Sequence, residues 1–133
     1  MNEIAVLIVE DDTIARIIFK KLLTRLGYTA LEAVNGEQAL EMIDSHPEIT
    51  HVFLDLNMPI LDGYEFLKFI NSGKKTRNVE IFITSVSEFR EFEEEAAEKN
   101  VDTKFVSGYN KKPYDMARIA NCLPQINNVL NNK

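Results

Sequence analysis

The sequence contains one cysteine among its 133 residues, Cys122. A single thiol allows neither a disulfide within the chain nor a cysteine cluster for zinc or an iron–sulfur centre. The sequence also lacks an apolar run of about 18 residues, the length needed to span a bilayer. The stretch MNEIAVLIVEDD places acidic residues on both sides of its short apolar run, whereas a secretion signal begins with positive charge. These absences predict a cytoplasmic protein that does not insert into membranes.

Positive charge is in the minority: 15 lysines and arginines against 21 acidic residues give a formal net charge of −6. Proteins that bind nucleic acids present clustered cations to the phosphate backbone, so direct nucleic-acid binding is not expected. The 45% of hydrophobic and 27% of charged residues are typical of a globular protein. The length is that of one domain, and we expect a single domain over residues 1–133.

Short apolar runs alternate with amphipathic stretches, which predicts five strand–helix units. AVLIV at 5–9 and HVFLD at 51–55 are typical of strands that are covered on both faces. The stretch 13–27 predicts the first helix, whose apolar residues recur at helical spacing: Ile14, Ile17, Ile18, Leu22 and Leu26. Capping-box spacing precedes the third and fourth helices, at Asp62 with Glu65 and at Ser85 with Glu88. Pro124 should kink or split the last helix.

This alternation indicates an α/β fold, a doubly wound sandwich around a parallel five-stranded sheet. The dinucleotide-binding strand order normally has six strands and a G-x-G-x-x-G turn after the first strand. Here the first strand is followed by Glu10, Asp11 and Asp12. We therefore predict the flavodoxin-like (βα)5 fold with strand order 2-1-3-4-5.

Acidic residues end two neighbouring strands of this predicted sheet. Glu10 and Asp11 follow strand 1, and Asp55 ends strand 3, so the three carboxylates should meet in one crevice at the carboxyl ends of the strands. Like charges this close disfavour full ionisation unless a cation lies among them. Oxygen ligands of this kind suit Mg²⁺ or Mn²⁺ better than zinc or copper.

The remaining strands bring a hydroxyl and an ammonium group to the same edge. Thr84 lies near the end of strand 4, and Lys112 follows strand 5. An acceptor carboxylate, a divalent ion, a hydroxyl and a lysine together form a site for a transferring phosphoryl group, whose oxygens need positive charge.

Five motifs in this order resemble those of the receiver domains of two-component response regulators, of the single-domain chemotaxis type. They are VEDD (9–12), DLNMPILDG (55–63), TS (84–85), GY (108–109) and KP (112–113). The resemblance implies that Asp55 accepts a phosphoryl group from a histidine kinase or a histidine phosphotransfer protein. It further implies a signalling switch without an output domain, which is not an enzyme but assists its own phosphorylation and dephosphorylation.

The same resemblance assigns the other roles. Glu10, Asp11, Asp55 and the backbone carbonyl of Asn57 would hold Mg²⁺, with Asp11 and Asp12 as an alternative acidic pair. The phosphoryl oxygens would contact Thr84 and Lys112, and the Lys112–Pro113 bond would be cis. Tyr109 would turn inward when Thr84 moves, which would reshape the surface of helix 4, strand 5 and helix 5 for a downstream protein.

One departure from the family pattern and two other possible functions remain beside the signalling switch. Asn110 and Lys111 occupy positions that are commonly apolar in that family, which bears on the coupling to Tyr109. A phosphohydrolase of the haloacid dehalogenase type would also use a strand-end aspartate with Mg²⁺, but it needs a second acid where Asn57 stands. A receiver-shaped scaffold that is never phosphorylated is the third possibility.

Overall fold

The computed structural model describes residues 4–74, 79–113 and 115–123. Strands and helices alternate along these residues: β1 (Ala5–Val9), α1 (Thr13–Arg25), β2 (Thr29–Ala33), α2 (Gly36–Ser45), β3 (Ile49–Asp55), α3 (Gly63–Phe69), β4 (Glu80–Ser85), α4 (Phe89–Glu98), β5 (Val106–Lys111) and α5 (Met116–Asn121). A π-helical segment, Ile70–Lys74, continues α3, and a 3-10 turn, Thr103–Phe105, precedes β5.

The five strands form one parallel sheet in the order β2-β1-β3-β4-β5. This order confirms the predicted flavodoxin-like fold. The chain runs from β1 outward to β2 and then crosses to β3 on the other side of β1. The carboxyl ends of β1 and β3 therefore lie side by side at the point where the connections diverge, which is where doubly wound folds bind ligands.

Both faces of the sheet are covered, as the continuous apolar strands predicted. On one face, Phe53 of β3 packs with Phe19 of α1 and Ile119 of α5 in one cluster of buried side chains. On the other face, Leu54 of β3 packs in a second cluster that includes residues of α2, α3 and α4. Alternate residues of each central strand thus contribute to two cores, and neither face of β1 or β3 is available to solvent.

Helix α1 is present as predicted, but only some of its apolar residues face the sheet. Ile14, Ile17 and Ile18 are exposed by 69%, 45% and 50%, whereas Phe19 and Leu23 are fully buried. Helix α1 carries more apolar residues than one face can hold. Phe19 and Leu23, four residues apart, lie against the sheet, so Ile14 and its neighbours project away from it.

The two predicted capping boxes had different outcomes. The Asp62–Glu65 box is present at the start of α3: Glu65 N donates to Asp62 Oδ1 at 2.9 Å, and Asp62 N donates to Glu65 Oε1 at 2.9 Å. The Ser85–Glu88 box was wrong, because β4 continues through Ser85 and α4 begins four residues later, at Phe89. Glu88 is the N-cap instead, and its N–H donates to the Glu91 carboxylate at 2.9 Å.

The predicted kink at Pro124 lies outside the described residues. Within residues 4–74, 79–113 and 115–123, no helix has both the length and the apolar character that a membrane span requires.

The orientation of α1 predicts a difference between two neighbouring positions. Phe19→Ala should lower the free energy of unfolding by about 3–5 kcal/mol, because it opens a cavity against Phe53. Ile18→Ala, on the exposed face of the same helix, should change it by less than about 0.5 kcal/mol. Urea unfolding followed by circular dichroism measures both; equal losses at the two positions would contradict the orientation of α1.

Candidate functional site

The acidic residues after β1 and at the end of β3 meet in one crevice. Glu10, Asp11 and Asp55 each offer a carboxylate oxygen, and these oxygens all lie within 4.8 Å of one another. Glu10 and Asp55 are only 2% and 5% exposed, whereas Asp11 is exposed. The crevice therefore holds two buried carboxylates and one that faces solvent.

Asp12, the alternative member of the acidic pair, is engaged elsewhere. It is the N-cap of α1, and its Oδ1 accepts a hydrogen bond from Ile14 N at 3.0 Å. This is an ordinary use of aspartate at a helix start. Its own N–H donates to Glu10 Oε2 at 3.2 Å, which helps to orient Glu10. The geometry thus favours Glu10 with Asp11 over Asp11 with Asp12 as the acidic pair.

Lys112 contacts both buried carboxylates from the end of β5. Its Nζ lies 2.7 Å from Glu10 Oε1 and 3.3 Å from Asp55 Oδ1. The backbone fixes this position, because Lys112 N donates to the carbonyl of Ser85 at 2.7 Å and the following bond to Pro113 is cis, as expected. The ammonium group offsets part of the repulsion between the two acids.

The pKa of Asp55 is raised from its ordinary value of 3.8 to about 6. Burial of the carboxyl group is the largest cause, and the charge of Glu10 adds to it, while Lys112 acts in the opposite direction. The balance means that this carboxylate is costly to ionise without a further cation nearby.

Thr84 and Asn57 lie beside this cluster in different ways. Thr84 is directly opposite Asp55 in the β3–β4 register and is 2% exposed. Asn57 follows β3 by two residues and is exposed in the loop before α3. The structure therefore brings Glu10, Asp11, Asp55 and Lys112 together, with Thr84 on the adjacent strand and Asn57 on the loop that leaves the site.

Gly63 is a residue whose importance sequence reasoning missed. A Cβ atom at this position would lie 2.8 Å from the carbonyl oxygen of Asp55 and 2.8 Å from Leu56 Cα, closer than side-chain atoms approach backbone. Its N–H also donates to the carbonyl of Leu56 at 3.0 Å. The absence of a side chain thus lets α3 begin directly against the strand end that carries Asp55; the Asp-Gly pair suggested only a helix start.

Tyr109 connects β5 to the segment between β4 and α4. Its hydroxyl donates to the carbonyl of Ser87 at 2.5 Å, and its ring centroid lies 5.4 Å from those of Phe89 and Phe92. Next to it, Lys111 forms an ion pair with Glu88. The segment that follows Thr84 is therefore held from β5 by two separate side chains.

The donor set fits a hard divalent cation. Three carboxylates converge within reach of a single ion, and no thiol or imidazole is among them. Such oxygen ligands favour Mg²⁺ or Mn²⁺. An ion there would also lower the cost of ionising Asp55, which the crevice otherwise opposes.

Comparison with known families agrees with this geometry. The model of the response regulator receiver domain matches residues 6–123, a range that contains both acidic strand ends, Thr84 and Lys112. The chain belongs to the response regulator receiver domain family. It is a CheY-like receiver domain of two-component signalling.

Curated relatives of this receiver domain include two proteins of Helicobacter pylori. It is 37% identical to the sensor histidine kinase CheAY over 79 residues. This alignment covers 59% of this chain and 10% of that protein. It is 33% identical to the chemotaxis protein CheY1 over 78 residues. This alignment covers 58% of this chain and 63% of that protein. The matched region is thus a tenth of the kinase and just under two thirds of CheY1.

Solved structures share the fold of this receiver domain. The chemotaxis protein CheY4 of Vibrio cholerae superposes with a TM-score of 0.75 at 22% identity, covering 93% of this chain and 98% of that one. The receiver domain of the sensor histidine kinase PA1611 from Pseudomonas aeruginosa superposes with a TM-score of 0.76 at 22% identity. This superposition covers 90% of this chain and 93% of that one. The latter was solved with a magnesium ion coordinated in its active site cleft.

The raised pKa of Asp55 predicts that metal-free stability depends on pH. Because the folded-state pKa lies above the unfolded value, the stability linked to the protonated form is complete below about pH 4 and is lost as pH rises through about 6. Asp55→Asn mimics the protonated group, so it should raise the free energy of unfolding at pH 7 by an amount on the order of 2–3 kcal/mol. This gain should vanish near pH 4.

Urea unfolding in a metal chelator at several pH values measures this difference. Asp44→Asn, at an exposed position of α2, is the matched control and should show no such trend. A stability gain for Asp55→Asn that is constant across the pH range would contradict the assignment.

Proposed function

We propose that this receiver domain is a phosphorylation-controlled signalling switch in which Asp55 accepts a phosphoryl group. The observation that carries the proposal is the environment of Asp55. This buried carboxylate lies within 4.8 Å of two other acids and 3.3 Å from Lys112, and Thr84 is opposite it in the sheet. A nucleophile, oxygen ligands for a metal, an ammonium group and a hydroxyl are thus within one crevice.

The donor is a phosphohistidine of a histidine kinase or of a phosphotransfer protein. A carboxylate oxygen of Asp55 attacks the phosphorus, a P–O bond forms, and the P–N bond breaks with its electron pair returning to the imidazole. Lys112 and Thr84 lie where they can contact oxygens of the transferring group and stabilise their charge. Glu10, Asp11, Asp55 and the carbonyl of Asn57 would hold Mg²⁺, which would supply further positive charge. The same groups would assist the later loss of the phosphoryl group to water.

The site favours a switch over a hydrolase that turns over small phosphate esters. Such a hydrolase protonates its leaving group with a second acid, and the residue two positions after Asp55 is Asn57, whose amide cannot supply that proton. A scaffold that is never phosphorylated is also disfavoured. In such a scaffold, nothing would favour keeping two buried acids whose mutual repulsion Lys112 offsets only in part.

The output surface lies on α4, β5 and α5. Thr84 is two residues before Val86 and three before Ser87, whose carbonyl accepts from Tyr109. A shift of Thr84 toward a phosphoryl oxygen would pull on this segment and on the Lys111–Glu88 pair at the start of α4. Lys111, which departs from the family pattern, would therefore help to transmit the change to α4. A downstream protein would read the altered surface.

The exposed apolar face of α1 is suited to the phosphodonor. Ile14, Ile17 and Ile18 project from the first turns of the helix that follows Glu10 and Asp11. Ile60 in the β3–α3 loop and Val86 after β4 are 73% and 67% exposed at the same edge of the sheet. Exposed apolar groups on one helix face, such as the three isoleucines of α1, are typical of protein interaction sites. A donor protein that delivers its phosphohistidine to Asp55 would cover this surface.

Phosphorylation itself is the direct test of the proposal. Acetyl phosphate with Mg²⁺ should add one phosphoryl group, seen by intact-protein mass spectrometry, and Asp55→Ala should abolish it. Lys112→Met should slow it at least roughly tenfold, since one charge-stabilising group is lost. Asp44→Asn should behave like the unmodified chain. Phosphorylation that persists in Asp55→Ala, or that is unchanged when Mg²⁺ is removed, would refute the assignment of Asp55 as the phosphoryl acceptor.

The donor surface can be separated from the chemistry. Ile17→Lys should lower kcat/KM for transfer from a phosphorylated histidine phosphotransfer protein roughly tenfold, or about 1.4 kcal/mol, because a charge would be placed in an apolar contact. Phosphorylation by acetyl phosphate should stay unchanged. The control is Phe105→Lys, an equally exposed apolar position in the turn before β5. If both variants slow transfer equally, α1 is not the donor surface.

A further inference from the structure

Arg16, on the first turns of α1, links the backbone of Glu10 to strand β2. Its terminal nitrogen donates to the carbonyl of Glu10 at 2.8 Å, and its Nε donates to Glu32 Oε1 at 2.9 Å. The side chain is only 14% exposed. Glu32 also accepts from Lys20 Nζ at 3.0 Å. One planar guanidinium group therefore bridges the strand end that carries the acidic pair and a carboxylate on the neighbouring strand.

Both backbone polar groups of Glu10 are thereby held by β2. Its N–H donates to the carbonyl of Ala33 at 3.0 Å, and its carbonyl is held through Arg16 by Glu32. β1 ends at Val9, so Glu10 lies just beyond the strand, where its N–H still bonds to β2. A backbone carbonyl beside a buried residue needs a partner in place of the ladder, and Arg16 supplies it.

We propose that Arg16 is a positioning residue for the divalent metal site, acting through the backbone of Glu10 and anchored by Glu32. This inference rests on the proposed function of the crevice. Fixing the Glu10 carbonyl sets the direction in which Glu10 and Asp11 present their carboxylates to Asp55. The planar fork is required because its two nitrogens must reach two acceptors on different elements, which a lysine ammonium on a flexible stem does not reproduce.

The sign of the effect on metal affinity separates positioning from simple electrostatics. Removing a positive charge close to a cation site should tighten metal binding if the charge alone matters. Removing a group that orients the ligands should weaken binding, by roughly tenfold for supports of this kind. Arg16→Met is therefore expected to weaken Mg²⁺ and Mn²⁺ binding, and Arg16→Lys should also weaken it although the charge is kept.

Calorimetric titration of the full chain with Mg²⁺, and Mn²⁺ titration followed by electron paramagnetic resonance, measure the affinity without any phosphoryl transfer. Glu32→Gln should weaken binding in the same direction, because the anchor of the guanidinium is loosened. Lys20→Met is the control: it removes another cation from Glu32, and its side chain is 47% exposed, so the affinity should change less than about twofold.

Tighter or unchanged binding in Arg16→Met would overturn the inference, as would equal losses in Arg16→Met and Lys20→Met. Should Arg16→Met not fold, Arg16→Lys decides the question in its place, because it keeps the charge and removes only the planar fork. A variant that loses only thermal stability while its metal affinity stays at the unmodified value would also overturn the inference. If the unmodified chain binds neither ion, the proposed metal site itself fails, which is a distinct result.

Discussion

The repulsion between two buried carboxylates is the interaction on which the site depends. Glu10 and Asp55 lie almost out of solvent, and each would repel the other if both were ionised. Lys112 contacts both and compensates part of this cost. Burial and the charge of Glu10 together still raise the pKa of Asp55, so the single ammonium group of Lys112 does not offset both effects. The crevice thus keeps a net negative charge, which would favour the binding of a divalent cation and, through it, phosphoryl transfer.

The fold makes this unfavourable arrangement possible by concentrating its cost at one edge of the sheet. Apolar side chains cover both faces of β1 and β3, so the strands are rigid up to Val9 and Leu54. The carboxylates of Glu10 and Asp55 lie where these two strands end. A site built on strand ends is held more precisely than one built on long loops, and the close approach of α3 at Gly63 shows how little space remains around Asp55.

The sequence predicted the features that follow from the order of strands and helices along the chain. It did not predict those that depend on tertiary packing. The continuous apolar runs of β1 and β3 gave the parallel sheet, and the strand order followed from the absence of a glycine-rich turn and from family resemblance. The sequence left open which apolar residues of α1 face the sheet, because two apolar faces were possible and only packing selects Phe19 over Ile18. The Ser85 cap was wrong because β4 extends to pair with β5, which local spacing cannot reveal. The Arg16–Glu32 link joins residues of separate elements and leaves no local pattern.

The positions that depart from regular patterns are also those that connect the crevice to its surroundings. Lys111 ends β5 with an exposed charged side chain, and it pairs with Glu88 where α4 begins. Ile14 lies in the first turn of α1 and is 69% exposed. Neither side chain belongs to the two buried clusters. The two surfaces that we propose, one toward a donor along α1 and one toward a target along α4, would use these exposed side chains, and Thr84 near the end of β4 would join them.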